Sequence, residues 1–374
     1  MRKIELVDLK NQYLGIKTEV DEAIRRVIDS TGFIGGADVA EFGNELGAYL
    51  GSKHVVPCAN GTDALQICMM ALGLEPGDEV ITPSFTYFAT VEVIALLKLT
   101  PVFVEVDAKT FTMDPAAMER AITPKTKAIV PVHLYGQSAD MEKIMAVAAK
   151  HNLPVIEDNA QAIGGWYQFA DGKKAPNGTM GTAGCTSFFP SKNLGAYGDG
   201  GAMYTNDEAL ALKLKMLANH GQRIKYYHDL VGCNSRLDSL QAAILRVKLK
   251  HLDEYVAKRR AAADYYDNAF AKNKKITTPF RAANAHHVFH QYTLLTEGDR
   301  DGLVAHLQSK NIPSQIYYPV PCHEQKAFEG KGRVPEELKT TGWLTQRVIS
   351  LPMHTELDQE QMKFITESVN EFIQ

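Results

Sequence analysis

From about residue 54 onward, short runs rich in β-branched residues alternate with longer stretches whose apolar positions recur three and four apart. That alternation predicts an α/β domain with a mostly parallel sheet. HVVPCA (54–59), EVITPS (79–84), TPVFVEV (100–106), KAIVPVHLY (127–135), LPVIED (153–158) and GAMYTN (201–206) read as strands. Residues 62–73, 86–98, 114–122, 139–151 and 206–220 carry helical spacing between them. The strands are apolar at successive positions, so helices are expected on both faces of the sheet. A long helical pattern runs from Leu237 to Phe270, and the order of elements changes after it. There VFHQYTLL (288–295) and PSQIYY (313–318) read as strands, and 300–310 and 358–373 as helices. The expected division is a large domain over 1–250 and a small C-terminal α/β domain over 251–374. Residues 166–184, rich in Gly, Lys and small polar side chains, read as a surface loop.

Composition narrows the function classes. The 374 residues exceed one compact domain, and 45% hydrophobic with 22% charged residues is ordinary for a globular protein. A net charge of -4 gives no electrostatic reason to expect nucleic acid. The N-terminus lacks the uninterrupted apolar stretch of a signal peptide, and no later run approaches the length of a membrane span, so a cytoplasmic location is expected. The five cysteines, at 58, 68, 185, 233 and 322, form no C-x-x-C pair, which argues against a disulfide framework or a zinc site.

Three segments carry candidate chemistry. Asn60-Gly61-Thr62-Asp63 lies where a strand gives way to a helix. Exposed amides at a helix start attract a phosphate, Gly61 allows close approach and the Thr62 hydroxyl adds a donor; an ordinary turn with an N-cap explains the same residues. In VIEDNAQ (155–161) Asp158 ends a strand, where ligands of such sheets bind. A carboxylate there either holds a pyridine nitrogen protonated or caps a following helix. In SFFPSKNLGAYGDGGA (187–202) Lys192 interrupts a small, apolar, glycine-rich context. Desolvation there would lower its pKa and make it a nucleophile and proton carrier, where most single lysines are surface charges.

Together and in order, NGTDAL (60–65), PGDEVITPSFTYFAT (76–90), AITPKTKAIVPVHLYGQ (121–137), VIEDNAQ, SFFPSKNLGAYGDGGA and NSRLDSLQAA (234–243) resemble the DegT/DnrJ/EryC1/StrS family of sugar aminotransferases, pyridoxal-phosphate (PLP) enzymes of fold type I. The resemblance spans nearly the whole chain. It implies that Lys192 forms the Schiff base and Asp158 faces the pyridine nitrogen. Gln161 would lie beside the phenolic oxygen, Phe85 would stack on the ring, and Gly61, Thr62, Asp63 and Ser187 would cradle the phosphate. It further implies a homodimer in which Asn234 reaches the phosphate of the neighbouring subunit. The implied reaction moves an amino group from an amino acid, glutamate first among candidates, to a nucleotide-linked keto sugar in two half-reactions.

Gln161, where other members have His, and the blocks around it resemble the branch acting on C3 of UDP-2-acetamido-2-deoxy-3-oxo-glucuronate. In that branch Phe33, Ser191, Arg236, Tyr317 and Tyr318 would line the sugar site, with Arg236 as partner of the uronate carboxylate or, alternatively, of an acid within the chain. The alternative substrates are dTDP-linked 3-oxo or 4-oxo-6-deoxyhexoses. Tyr317 stands where members often have His, and the 166–184 segment is longer than in that branch. The rival readings are a family dehydratase, which carries His in place of the lysine; a nicotinamide oxidoreductase, for which no G-x-G-x-x-G follows the early strands; and a non-catalytic regulatory or sensory PLP-binding protein. His286, His287 and His290 lack a matching carboxylate cluster for a metal. His133 either approaches the cofactor or sits hydrogen-bonded in the packing, and Cys58 and Cys185 read as small buried residues.

Overall fold

The computed structural model describes residues 2–373. Three helices come first, α1 (Leu9–Gly15), α2 (Lys17–Ser30) and α3 (Ala37–Leu50). The predicted alternation then follows: β1 (His54–Cys58), α4 (Gly61–Ala71), β2 (Glu79–Pro83), α5 (Ala89–Leu96), β3 (Thr100–Val104), α6 (Pro115–Arg120), β4 (Thr126–Ile129), α7 (Met141–His151) and β5 (Ile156–Asp158). A hairpin of β6 (Trp166–Gln168) and β7 (Lys174–Pro176) precedes β8 (Ala183–Ser187), β9 (Gly201–Thr205) and α8 (Glu208–Leu217). A second hairpin, β10 (Gln222–Ile224) and β11 (Tyr227–His228), leads to α9 (Ser239–Lys250) and α10 (Leu252–Phe270), which break at His251. The C-terminal part comprises β12 (Ile276–Thr277), β13 (Tyr292–Thr296), α11 (Arg300–Ser309), α12 (Lys339–Thr345), β14 (Val348–Leu351) and α13 (Gln359–Phe372).

Two hydrogen-bonded groups, β3-β2-β4 and β5-β8-β9-β1, make the central sheet. They meet at parallel bridges between Ile129 and Val155 and between Val132 and Asp158. Only β9 runs against its neighbours. Both faces are covered, for a reason visible in β9 itself. Ala202 and Tyr204 pack with Phe42 of α3 and Leu245 of α9, while Met203 between them packs with Leu65 of α4 and Leu214 of α8. With side chains alternating between faces, a strand that must be apolar on both reads as continuous rather than alternating. The smaller antiparallel sheet β12-β13-β14 has its own apolar cluster with the second half of α10, α11, α13 and Ile4 from the N-terminus. The first turns of α10 belong to the other cluster through Leu252 and Val256.

Some expectations need correcting. Residues 166–184 are not a surface loop: they hold the β6–β7 hairpin and the start of β8, and Tyr167, Asn177 and Ala183 are buried. The polar tip, residues 170–174, is exposed, but the backbone beyond it is bound internally. The Glu157 carboxylate, fully buried, accepts from the amides of Gly178 at 2.8 Å and Met180 at 2.6 Å. PSQIYY forms no strand beyond a bridge between Gln315 and Ser350, because Ile316, Tyr317 and Tyr318 turn away to pack against Phe85 and Tyr135. The strand expected over 288–295 begins at Tyr292, and β14 was not anticipated.

Candidate active site

The sheet alternation separates the two acids that end β5. Glu157 points to one face, where it also lies 2.8 Å from His133 Nε2. His133 is buried and its Nδ1 accepts from the Ala139 amide at 3.1 Å, so this histidine is a packed, hydrogen-bonded residue. Asp158 points the other way. Its Oδ1 accepts from the Ala160 amide at 3.1 Å and its Oδ2 from the Thr90 hydroxyl at 2.8 Å. A turn rather than a helix follows it, so the helix-cap reading of Asp158 fails.

One register step away, β8 pairs with β5 through Asp158 and Cys185, and ends at Ser187. Lys192 lies on the turn beyond. That turn is tight: the Lys192 amide donates to Phe189 O at 2.8 Å and the Ala196 amide to Phe188 O at 2.7 Å. From α9 below, Lys248 Nζ donates to Gly195 O at 2.5 Å. Lys192 itself is half-buried. Burial pushes its pKa down to about 8, against the opposing pull of the Asp158 carboxylate. Among the described residues its ammonium has no hydrogen-bond or ion-pair partner.

At the neighbouring strand end, Asn60 caps α4 with Oδ1, which accepts from the Asp63 amide at 2.8 Å. The cap and the phosphate cradle are compatible, because capping leaves the amides of Gly61 and Thr62 without acceptors among the described residues. It does, however, occupy the Asp63 amide. A Cβ at Gly61 would come within 2.6 Å of Ser187 Cβ, so the glycine is what lets the β8 end close on the helix start. Free amides at the positive end of α4 beside a serine hydroxyl suit a phosphate. Taken with the Asp158 carboxylate and the unpaired Lys192 amine, the donor set fits PLP.

Phe85 is buried, with its ring edge-on to Tyr318 at 6.1 Å, Phe111 at 6.3 Å and Tyr135 at 6.4 Å. Gln161 Oε1 accepts from the Tyr135 amide at 2.8 Å and its Nε2 donates to Tyr318 Oη at 3.1 Å, which fixes the orientation of its amide. Tyr317 and Tyr318 are half-buried, and Ser191 half-buried beside Lys192. Phe33 and Arg236 are both exposed, and the Phe33 carbonyl accepts from the Ser239 amide at 3.0 Å at the start of α9. Arg236 forms no ion pair among the described residues, so the intramolecular alternative finds no acid. Asn234 is exposed, next to buried Ser235, whose Oγ accepts from the Ala59 amide at 3.2 Å.

The sequence assigned no role to Thr90 or Tyr135, and offered His290 only as a metal ligand that lacked a carboxylate cluster. Thr90 lies inside the 76–90 block and follows Thr86 at a helical interval, a signal that was present but unassigned. His290 is buried, and its pKa is held well below the usual histidine range by burial and then by nearby Lys192 and Arg259. His286 stacks on Trp166 and His287 on Phe289. Cys58 and Cys185 are buried and their thiol pKa values are pushed up by burial. A separate groove between α3, β1 and α8, lined among others by Lys53, Lys215 and Arg223, holds none of the site residues.

Comparison with known proteins places this geometry in context. The DegT/DnrJ/EryC1/StrS aminotransferase family matches over residues 15–370. The chain is 47% identical over 363 residues to the UDP-2-acetamido-2-deoxy-3-oxo-D-glucuronate aminotransferase of Pseudomonas aeruginosa, covering 97% of this chain and 98% of that one. Among solved structures, S. venezuelae DesV in complex with a ketimine intermediate superposes with a TM-score of 0.95 at 40% identity, covering 100% and 99% of the two chains. NtdA from Bacillus subtilis with bound cofactor PMP superposes with a TM-score of 0.90 at 30% identity, covering 100% and 86%.

Proposed function

The chain belongs to the DegT/DnrJ/EryC1/StrS aminotransferase family and is a fold type I aminotransferase of nucleotide-linked sugars; from that premise we propose that it uses PLP bound through Lys192 to aminate C3 of UDP-2-acetamido-2-deoxy-3-oxo-glucuronate. The observation that carries the assignment of Lys192 is its unpaired amine, lowered to a pKa of about 8, on the turn beside Asp158. When bound, the pyridoxal ring supplies an electron sink for the carbanion at the donor's Cα. The chain's own residues do the rest. Gly61 and Thr62 would hold the phosphate by their amides and Ser187 by its hydroxyl, while the Asp63 amide is taken by Asn60. Phe85 and the fixed amide of Gln161 orient the ring. Lys192, whose lowered pKa favours the free amine, would take the proton from the donor's Cα and deliver one to the bound group.

The sugar assignment is supported by the exposed guanidinium of Arg236, without an ion-pair partner among the described residues, which offers a bidentate partner for a uronate carboxylate. The relative from Pseudomonas aeruginosa carries that substrate in its name. Asn234 is exposed rather than folded into its own chain's site, which is consistent with a homodimer in which it serves the partner. A cytoplasmic place in surface-polysaccharide or antibiotic-sugar synthesis follows from such a substrate; among the described residues no helix is long and apolar enough to cross a membrane. The test is to convert the protein to its pyridoxamine-phosphate form and offer UDP-2-acetamido-2-deoxy-3-oxo-glucuronate against dTDP-3-oxo- and 4-oxo-6-deoxyhexoses. Return of the PLP absorbance with the UDP-uronate is expected; return only with a dTDP sugar would replace the substrate and leave the cofactor chemistry standing.

A further inference from the structure

We propose that Thr90 is a positioning residue for the amino-transfer reaction, one whose hydroxyl, itself oriented by Thr86, fixes the Asp158 carboxylate opposite the cofactor's ring nitrogen. The proposal rests on the reading of Asp158 as that nitrogen's partner. Thr90 and Thr86 are 1% and 2% exposed, so their hydroxyls must find partners inside the protein. Thr90 Oγ1 lies 2.8 Å from Asp158 Oδ2 and 3.3 Å from Thr86 Oγ1. A hydroxyl has one proton, and an ionised carboxylate only accepts. The Thr90 proton therefore points at Asp158, and its lone pair accepts the proton of Thr86. The direction of the relay, Thr86 to Thr90 to Asp158, follows from that count.

The Ala160 amide binds the other oxygen, so both carboxylate oxygens are tied and the plane of the group is set. The segment bearing the relay is itself anchored from the C-terminal part of the chain. Ser84 Oγ lies 2.7 Å from His323 Nδ1, the Cys322 amide donates to Ser84 O at 2.9 Å, and Cys322 Sγ lies 3.4 Å from Thr86 O. The stretch from the end of β2 into the first turn of α5 thus delivers Phe85 toward the ring face and Thr90 behind the carboxylate. Without Thr90 one carboxylate oxygen is untied, the group turns out of line with the ring nitrogen, and the protonated form of that nitrogen loses its partner. The ring then loses part of its electron-withdrawing power.

The holoenzyme reconstituted with PLP labelled with nitrogen-15 in the ring tests this by NMR, alongside the rate of the glutamate half-reaction. In the wild type the ring nitrogen is expected to be protonated, and Asp158→Asn to change its signal. Thr90→Val, which keeps the shape and removes the donor, is expected to move the signal toward the unprotonated position and slow the half-reaction roughly tenfold, the factor expected for one hydrogen bond to a charged group. Thr90→Ser is expected to restore both. Thr86→Val leaves Thr90 in place without its orienting donor and is expected to shift the signal in the same direction by less. Wild-type signals in both valine variants would overturn the proposal. A wild-type ring nitrogen that is unprotonated, or a signal indifferent to Asp158→Asn, would instead overturn the reading of Asp158, and the two failures are told apart by which protein shows them.

Discussion

Lys192 sits between two opposed effects, burial that disfavours its charge and an Asp158 carboxylate that favours it, and burial wins. The consequence for stability has a definite sign. A lysine whose folded pKa is about 8 and whose usual value is 10.5 binds fewer protons folded than unfolded throughout that window. The cofactor-free protein therefore gains stability as pH rises from about 8 toward 10.5. Lys192→Met removes this dependence. Without cofactor, the variant is expected to melt above the wild type at neutral pH, with the gap closing as pH approaches the usual lysine value; a gap independent of pH would show that Lys192 is not held in this way. Lys248, pushed down to about 7 by burial and then by Arg259, is present in both proteins and cancels. From sequence, Lys192 stood out by its glycine-rich surroundings and its place in the ordered blocks. Thr90 did not, because a threonine near a helix start looks the same whether or not a buried carboxylate lies across the sheet.

Among the elements, α4 shows how a strand end and a helix start become a binding feature. Asn60 satisfies one amide, the helix start leaves those of Gly61 and Thr62 open, and Gly61 lets Ser187 close in. Gly61→Ala puts a methyl group 2.6 Å from Ser187 Cβ. The cofactor dissociation constant, measured by fluorescence titration, is expected to rise by about an order of magnitude, the scale of losing a hydrogen bond to a charged group. Unchanged affinity would remove the α4 start from the phosphate site. The alternating strands and helices of the central sheet were legible because burial on both faces leaves uninterrupted apolar runs. Elements whose stability comes from distant partners were not. The β6–β7 strands have three residues each, too short for a periodicity, and the residues after them are held by the Glu157 carboxylate on β5. Helix α2 was readable from Val20, Ala23 and Val27 but went unassigned.

For the molecule as a whole, the question is whether one chain completes the site. Asp158, Thr90, Phe85, Gln161 and Tyr318 are joined by contacts within the chain, and Ser187 closes on Gly61. Asn234 stands exposed, and the hairpin that precedes it exposes Ile224, Tyr226 and Tyr227. If Asn234 serves the partner subunit, Lys192→Ala and Asn234→Ala damage different contributions to each site. Mixed after dissociation, the two variants are expected to form hybrids with one intact site and to exceed the sum of their separate activities. Strict additivity would place Asn234 in its own chain's site. A division was expected at residue 250, and α10 just beyond it packs by its first turns with the central sheet and by its later turns with the small one. That sharing is invisible in a pattern that simply continues through His251.

The most direct test of the account is to reduce the purified holoenzyme with borohydride, digest it and map the pyridoxyl group by mass spectrometry. The account predicts the modification on the peptide containing Lys192, lost after incubation with glutamate before reduction. Attachment to any other lysine, or none at all in protein saturated with PLP, would contradict it.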